Sequence, residues 1–303
     1  MRAAIQTEFG GPEVLRVVDV ERPTPGPGEV LVRVVASGVN PADAIVRAGY
    51  PMLGDPPLTL GWDVSGVVEE SRADFEVGAE VYGMPAFPKA ANAYAEYVVA
   101  RADHLAPKPP SLDHVHAAAL PLAALTAWQG LAKAGIKPGD RVLVHGAAGG
   151  VGHLAVQLAK ASGAHVIALA GASGHDFVRS LGADEVIDYR ATDFTTALSD
   201  LDVVLDSVEQ SDRSLSVLRP GGTLITIKEQ HDPELAARVA AAGKRFAGTT
   251  VTPSRPDLEA ITDLVERGLL RPHVSATFAL ADVVKAHEAI DSGHTRGKIV
   301  LVP

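Results

Sequence analysis

A glycine-rich turn between a strand pattern and a helix pattern predicts chemistry more directly than any other part of this sequence. In the run VLVHGAAGGVGHLAVQLAK, residues 142–160, apolar residues precede the glycines and further apolar residues follow at helical spacing. Small residues let the backbone approach a pyrophosphate, and the N–H groups at the start of the helix stabilise its charge. We therefore predict a dinucleotide site, the alternative being a tight turn without a ligand. The residues expected to face the cofactor are Gly146, Ala148, Gly149, Gly150, Val151 and Gly152.

The segment after the next strand pattern bears on which dinucleotide is bound. An acidic residue about 20 positions beyond the glycine loop would bind the adenosine ribose and favour NAD. Residues 169–175, LAGASGH, contain no carboxylate, which leaves room for a 2′-phosphate, but they contain no Arg or Lys either. We expect NADPH, with NADH as the less favoured alternative. The residues expected to supply the recognition or lie beside the cofactor are Ala170, Gly171, Ser173, His175 and Arg190.

Composition and charge exclude several classes of function. A chain of 303 residues with 47% hydrophobic content is long enough for two packed domains. The net charge of −10 and the lack of a long Lys/Arg cluster argue against binding to nucleic acid. With no cysteine, the chain has no disulfide, thiolate nucleophile or thiolate metal ligand. Neither a signal-peptide core nor an apolar run of membrane length is present, so we expect a cytoplasmic protein that does not bind membranes.

The strand and helix patterns indicate two kinds of domain. Short strand patterns separated by turn residues occupy residues 1–110 and predict an antiparallel, barrel-like domain: EVLVRVVASGV, WDVSGVVEE, EVYGM and AYAEYVVA. From Arg141 onward, strand patterns alternate with helical segments, as a parallel sheet requires: RVLVHG, HVIALA, EVIDY, DVVLDS, GTLITI and FAGTTV. Further helices are expected at 113–133, 255–267 and 281–292. The final strand, KIVLVP, has no partner in the parallel sheet and is expected to return to the first domain.

Six segments together resemble a known family. They are GVNPADAIVRAGY, PLAALTAWQGL, VHGAAGGVGHLAVQLAKASGA, FVRSLGADEVIDY, LRPGGTLITI and GKIVLVP. The chain resembles the medium-chain dehydrogenase/reductase superfamily, most closely its quinone oxidoreductase (zeta-crystallin-like) branch. The resemblance implies an α/β protein with a GroES-like catalytic domain at 1–118, completed by 255–303, and a doubly wound Rossmann domain at 119–254. It also implies a homodimer that pairs through the edge strand FAGTTV.

The resemblance raises the question of a catalytic zinc. Zinc-dependent members carry a cysteine ligand where Asn40 stands and a histidine ligand where Trp62 stands, so both ligands are lost. Zinc in a catalytic site needs three protein ligands around a water, and we predict that this chain binds no zinc. Without a Lewis acid, an alkoxide that develops during alcohol oxidation lacks stabilisation. A quinone or an α,β-unsaturated carbonyl already delocalises the charge that arrives with a hydride.

The matching motif also indicates which residues surround the reaction. Asn40, Asp43, Arg47 and Tyr50 are expected near the mouth where nicotinamide and substrate meet. Asn40 would bind the carbonyl or a nicotinamide ribose hydroxyl, and Tyr50 would donate a proton or line the slot. For Asp43 and Arg47, at i and i+4 on a short predicted helix, the alternative is an ion pair. Trp62 is expected to be a pocket wall or a core residue.

Further cofactor contacts follow from the resemblance alone. Thr126 matches a residue that faces the nicotinamide carboxamide, the alternative being a hydroxyl bonded to its own helix. Tyr189 is expected on the adenosine phosphate side, and Ile227 beside the cofactor. Arg296 and Lys298 would reach the cofactor from the catalytic domain, unless they are solvated charges on a terminal loop.

The expected activity is transfer of a hydride from NADPH to a quinone ring or to the β-carbon of an enone. One alternative is an enoyl-thioester reductase of the same fold, which would need a larger and more basic entrance. The other is a non-catalytic nucleotide-binding protein that acts as a redox sensor, an RNA-binding protein or a lens-type structural protein, because a fold does not determine a function.

Overall fold

The computed structural model describes all 303 residues, and the chain divides into two compact units. The first unit comprises Met1–Leu125, Thr252–Gly268 and Pro272–Pro303, and the second comprises Thr126–Val251 and Leu269–Arg271. The sequence had predicted boundaries after residues 118 and 254. In the structure, the first division falls inside a continuous helix, Pro121–Ala134, so no loop marks it.

The N-terminal part of the first unit is built mainly of strands. The central strand β3 pairs antiparallel with β5 and with β7, while β5 pairs with β6, β6 with β8, and β1 with both β2 and β4. Valine side chains from β3, β5, β6 and β7 form one buried core. The bounds are β1 Arg2–Gln6, β2 Leu15–Asp19, β3 Glu29–Val39, α1 Pro41–Arg47, β4 Leu58–Thr59, β5 Val64–Ser71, β6 Glu80–Gly83, β7 Tyr97–Arg101, β8 Leu105–Pro107 and α2 His114–Ala118.

The second unit is a parallel sheet with helices between its strands. The strand order β11-β10-β9-β12-β13-β14 reads 3-2-1-4-5-6 within the unit, which is the doubly wound order of dinucleotide-binding folds. The predicted α/β class is therefore confirmed. The bounds are α3 Pro121–Ala134, β9 Arg141–Val144, α4 Gly152–Ala161, β10 His165–Ala170, α5 His175–Ser180, β11 Glu185–Asp188, α6 Phe194–Ala197, β12 Leu201–Asp206, α7 Ser211–Val217, β13 Leu218–Thr226, α8 Pro233–Ala241 and β14 Arg245–Gly248.

The outer strand β14 is shorter than the sequence pattern FAGTTV suggested. It ends at Gly248, which pairs with Thr226, the last residue of β13. The N–H of Thr249 still donates to the Thr226 carbonyl at 2.9 Å, and residues 250–251 leave the sheet. The strand nevertheless lies at the end of the sheet order, as expected.

The C-terminal segment completes the first unit. Strand β16 pairs antiparallel with β3, where Ile299 lies opposite Val39, and parallel with β15. The strand that had no partner in the parallel sheet thus joins the sheet of the first unit, and its first residue, Lys298, lies beside the end of β3. No helix of the protein combines the length and the apolar character needed to span a bilayer. The bounds are α9 Arg255–Glu266, β15 Val274–Ala279, α10 Val283–Asp291 and β16 Lys298–Val302.

Candidate active site

Asn40 lies where β3 ends and α1 begins, and its side chain is almost completely buried. Its Oδ1 accepts a hydrogen bond from the ammonium of Lys298, and its Nδ2 donates to Oδ2 of Asp63 at 2.9 Å. An ammonium only donates and a carboxylate only accepts, so the two partners determine which end of the amide is oxygen. The Asn40 amide therefore has a defined orientation.

Lys298 and Asp63 form a buried ion pair beside Asn40. Their Nζ and Oδ2 atoms are 3.2 Å apart, and the two side chains are 3% and 0% exposed. Lys298 also donates to the Val39 carbonyl at 3.0 Å, and Oδ1 of Asp63 accepts from the Leu122 N–H at 2.7 Å. Lys298 and Asp63 are thus paired with each other and hydrogen-bonded, as burial of charge requires.

Asp43 occupies the first turn of α1 and is completely buried. Its two oxygens accept from the N–H of Asn40 and the N–H of Gly61, each at 2.8 Å. Burial raises the pKa of Asp43 to about 7, and these two hydrogen bonds offset that effect only in part. The carboxyl group can therefore hold or release a proton near neutral pH.

Tyr94 packs against Asp43, and its ring occupies the space beside Gly61 that a side chain would otherwise fill. A Cβ on Gly61 would lie 2.4 Å from the Tyr94 ring, and the backbone of Gly61 has φ +92°. Burial raises the pKa of Tyr94 well above its usual value, with a further contribution from the charge of Asp43. Sequence analysis identified neither Tyr94 nor Asp63. The signals available were a carboxylate directly after Trp62 and a tyrosine inside the AYAEYVVA pattern, and both looked like ordinary strand residues.

The alternative interpretation of Asp43 and Arg47 as an ion pair is wrong, because the two side chains bind other partners. Arg47 instead donates to Oδ2 of Asp291 at 2.7 Å and to Nδ1 of His287 at 2.8 Å. Burial, together with the charge of Arg47, lowers the pKa of His287 to about 4, so the neutral imidazole accepts this bond. Helical spacing brought the two α1 side chains near one face, but Asp43 turns to the backbone N–H groups and Arg47 turns to α10.

Tyr50 and Trp62 lie in very different surroundings. The side chain of Tyr50 is 56% exposed, and Trp62 is completely buried. The indole N–H of Trp62 donates to the Lys89 carbonyl at 2.9 Å, and its ring meets Phe87 edge-on. The geometry of Trp62 favours the packing interpretation, and the catalytic role of Tyr50 stays a prediction.

In the second unit, the glycine loop forms a tight turn between β9 and α4. Gly146 has φ +57°, and Gly149 donates its N–H to the Gly146 carbonyl at 2.9 Å. A Cβ on Gly152 would lie 2.2 Å from that same carbonyl oxygen. No side chain caps α4 at its preceding residue, Val151. The turn therefore requires small residues and leaves the start of the helix open to an anion.

At the end of β10, the structure brings together residues that are far apart in sequence. A Cβ on Gly171 would lie 3.6 Å from Nη1 of Arg190 and 3.8 Å from the ring of Tyr189. The Arg190 guanidinium lies 5.3 Å from the centroid of the Tyr189 ring. Ser173 is exposed in the short turn that follows Gly171. A cation, a hydroxyl group and an open backbone thus lie near this strand end, where a phosphate could bind.

The remaining predicted cofactor residues are placed as follows. Thr126 is 5% exposed within α3, and Ala170 is the last residue of β10 and is buried. Ile227 follows β13 directly, and Arg296 is exposed in the turn before β16. Lys298, in contrast, directs its ammonium into the interior of the first unit. The cofactor contacts assigned to all of these residues stay predictions.

Comparisons with known proteins identify the class to which this fold and site belong. Residues 26–110 match the alcohol dehydrogenase GroES-like domain, and residues 181–301 match the family described as zinc-binding dehydrogenase. The chain belongs to the medium-chain dehydrogenase/reductase superfamily, as the sequence resemblance implied.

Individual relatives and structures place the chain among the oxidoreductases of that superfamily. It is 36% identical to mouse NAD(P)H oxidoreductase RTN4IP1, mitochondrial, over 91% of this chain and 82% of that protein. It is 33% identical to the chloroplastic NADPH-dependent alkenal/one oxidoreductase of Arabidopsis thaliana, over 100% of this chain and 80% of that protein. The quinone oxidoreductase of Coxiella burnetii superposes with a TM-score of 0.95 at 35% identity, and the match covers 100% of this chain and 99% of that one. Escherichia coli quinone oxidoreductase complexed with NADPH superposes with a TM-score of 0.90 at 28% sequence identity, and the match covers 100% of both chains.

The superfamily also implies a zinc ion, and the residues present do not fit one. A cobalt- and zinc-bound alcohol dehydrogenase from Pyrobaculum aerophilum matches with a TM-score of 0.87 at 32% identity, covering 100% of this chain and 99% of that one, so the fold does not decide the question. Here the two ligand positions hold the amide of Asn40 and the buried indole of Trp62. No group of three or more His, Cys, Asp or Glu side chains is arranged to hold a metal ion.

Proposed function

We propose that this protein is a zinc-independent, NADPH-dependent reductase that transfers a hydride to a quinone or to an α,β-unsaturated carbonyl compound. The observation that carries the proposal is the orientation of Asn40 by Lys298 and Asp63 at a position where zinc-dependent relatives have a metal ligand. A relative named for alkenals and enones and a neighbouring quinone oxidoreductase complexed with NADPH support the same assignment.

The residues around Asn40 suit an acceptor that is already activated. NADPH, when bound, supplies the hydride. As the hydride adds to the β-carbon of an enone, the electron pair of the C=C bond moves towards the carbonyl oxygen. An N–H of Asn40 can donate to that oxygen, and donors aimed at developing charge in a dry site are effective catalysts. We also propose that Asp43, whose pKa burial raises to about 7, holds or supplies the proton that completes the reduced product.

The preference for NADPH rests on the end of β10. Residues 169–175 contain no carboxylate that would repel a 2′-phosphate, and the guanidinium of Arg190 lies 3.6 Å from the Cβ position of Gly171. Arginine binds phosphate with strong, charge-assisted hydrogen bonds. We therefore assign Arg190 and Ser173 to the 2′-phosphate of NADPH, with the ring of Tyr189 beside the adenosine.

We also propose a homodimer that pairs through the outer strand β14. An exposed strand edge offers unpaired backbone groups that favour pairing with another chain, and size-exclusion chromatography tests this arrangement. A cytoplasmic location stays a prediction from the sequence.

A substrate panel tests the proposed reaction. Benzoquinone, naphthoquinone, a 2-alkenal and a crotonyl thioester are each offered with NADPH, and oxidation is followed at the nicotinamide absorbance. The proposal expects turnover of a quinone or the alkenal and little turnover of the thioester. Turnover of the thioester alone would replace the proposal with an enoyl-thioester reductase, and NADPH binding without any turnover would favour a non-catalytic role.

A further inference from the structure

The amide of Asn40 has two acceptor positions on its oxygen and two N–H donors on its nitrogen. Lys298 takes one acceptor position, and Asp63 takes one donor. One N–H remains, and it lies at the opposite end of the group from the oxygen that binds Lys298. Rotation of the amide by half a turn would exchange these two ends, so whatever determines its orientation also determines whether a substrate oxygen meets a donor or an acceptor.

We propose that Lys298 and Asp63 are positioning residues, which hold the Asn40 amide so that its remaining N–H faces the carbonyl oxygen of the substrate. This inference rests on the proposed function, because only a carbonyl substrate makes the difference between donor and acceptor important. It assigns to Lys298 a role inside the first unit, in place of the cofactor contact that the resemblance implied.

The fold holds the ion pair firmly in place. Gly297 has φ +62°, and a Cβ there would lie 2.2 Å from the carbonyl oxygen of His273. The N–H of Lys298 donates to that same carbonyl at 2.9 Å. A turn that requires glycine therefore directs the lysine side chain into the interior at the start of β16.

The carboxylate is positioned from the opposite side. A Cβ on Gly38, in β3, would lie 2.5 Å from Oδ2 of Asp63, so the strand has no side chain where the carboxylate lies. The hydroxyl of Ser37 donates to the backbone carbonyl of Asp63 at 2.8 Å, and the N–H of Leu122 donates to its Oδ1 at 2.7 Å. Two segments of the first unit, β3 and the start of α3, thus determine the position of Asp63 beside Asn40.

The ammonium also places a positive charge next to the amide. Its exposed fraction is 3%, so solvent screens it weakly. Because Lys298 binds the amide oxygen, its charge withdraws electron density from that oxygen and makes the N–H groups of Asn40 stronger donors. The pair should therefore matter most for substrates that need help to accept a hydride.

The test compares two substrates in the same variants. Lys298→Met removes the ammonium, and the double variant Asp63→Asn with Lys298→Met removes both charges. The double variant avoids an unpaired buried carboxylate, so it should remain folded even if the single variant does not. We expect kcat for a 2-alkenal to fall by roughly 10²-fold, kcat for benzoquinone to fall much less, and the Kd for NADPH to stay unchanged.

A double-mutant cycle with Asn40→Ala separates positioning from general damage. If Lys298 acts through Asn40, adding Lys298→Met to Asn40→Ala should produce little further loss of alkenal reduction. Lys108→Met is the matched control, because Lys108 is also a buried lysine paired with a carboxylate, Glu80, in the same unit. It should lower the melting temperature without changing the ratio of alkenal to quinone turnover.

Each possible failure has a distinct meaning. Wild-type protein that reduces neither substrate with NADPH overturns the proposed function itself. If the wild type is active, two results would overturn only the positioning role. One is an equal loss of alkenal and benzoquinone turnover in the Lys298 variants. The other is a loss of alkenal turnover from Lys298→Met that adds to the loss from Asn40→Ala. A raised Kd for NADPH with an unchanged substrate ratio would return Lys298 to the role of a cofactor contact.

Discussion

Gly152 lies so close to the carbonyl oxygen of Gly146 that a Cβ on Gly152 would be 2.2 Å from it. We predict that Gly152→Ala displaces this turn and raises the Kd for NADPH at least about tenfold, equivalent to about 1.4 kcal/mol. Gly149→Ala should have a smaller effect, because its Cβ would lie 3.2 Å from the same oxygen. Fluorescence titration measures both. A folded Gly152→Ala protein that binds NADPH like the wild type would show that the cofactor does not use this loop.

Arg190 is the cation closest to the end of β10 where we place the 2′-phosphate. Arg190→Ala should weaken NADPH binding roughly tenfold to a hundredfold, since a hydrogen bond to a charged group contributes about 1.5–3 kcal/mol. The Kd for NADH should change little, because NADH lacks the phosphate. Arg179→Ala is the control, as Arg179 is an exposed arginine paired with Asp176 in the same unit. Equal losses for both cofactors would contradict the assignment.

The replacement of both zinc ligands leads to a prediction about metal content. Elemental analysis of the purified protein should find far less than one zinc per chain, and treatment with a chelator should leave reductase activity unchanged. A zinc-dependent relative assayed alongside provides the positive control for the chelator. One tightly held zinc per chain, lost together with activity, would show that the Asn40 and Trp62 positions do not decide metal binding.

The buried carboxyl group of Asp43 should make stability depend on pH. Its pKa is raised from 3.8 to about 7 by burial, so between these values the folded protein holds a proton that the unfolded chain has released. The contribution of this proton to the free energy of unfolding is fully present below about pH 4 and is lost as the pH rises through 7. The free energy of unfolding falls by up to about 1.4 kcal/mol per pH unit in this range. Urea unfolding across this range should give a flatter profile for Asp43→Asn than for the wild type.

A second carboxylate provides the control for that experiment. The ion pair with Arg255 holds the pKa of Asp74 below its usual value, which is the opposite direction. In Asp74→Asn, the free energy of unfolding should therefore still fall with rising pH, as it does in the wild type. If Asp43→Asn and the wild type lose stability in parallel as the pH rises, Asp43 is ionised throughout and does not hold a proton near neutrality.

Much of the fold could be predicted from periodicity. The run EVLVRVVASGV coincides with β3, Glu29–Val39, and the alternation after Arg141 predicted the parallel sheet. The strands that were missed, β1, β2, β4, β8 and β15, are two to six residues long. Length alone does not explain these misses, because the predicted strands β6, β9, β11 and β14 have only four residues each.

The parts of the site formed by residues close together in sequence could be predicted, whereas the partners that come from distant segments could not. The position of Asn40 at the end of a strand followed from its motif, whereas its partners Asp63 and Lys298 are 23 and 258 residues away along the chain. The meeting of Gly171 with Arg190 follows from the adjacency of β10 and β11, whose carboxyl ends lie at one edge of the sheet. Sequence analysis had already grouped Gly171 with Arg190, so the information it lacked concerns Asn40, whose partners come from distant segments of the first unit.

Transfer of a labelled hydride tests the central claim most directly. Metal-free protein is given NADPH that carries deuterium at the transferred position of the nicotinamide, together with a 2-alkenal, and the product is analysed by mass spectrometry and NMR. We predict one deuterium at the β-carbon of the saturated aldehyde and a solvent proton at the α-carbon. A product without deuterium at the β-carbon, or turnover that appears only when zinc is added, would contradict a metal-free hydride transfer.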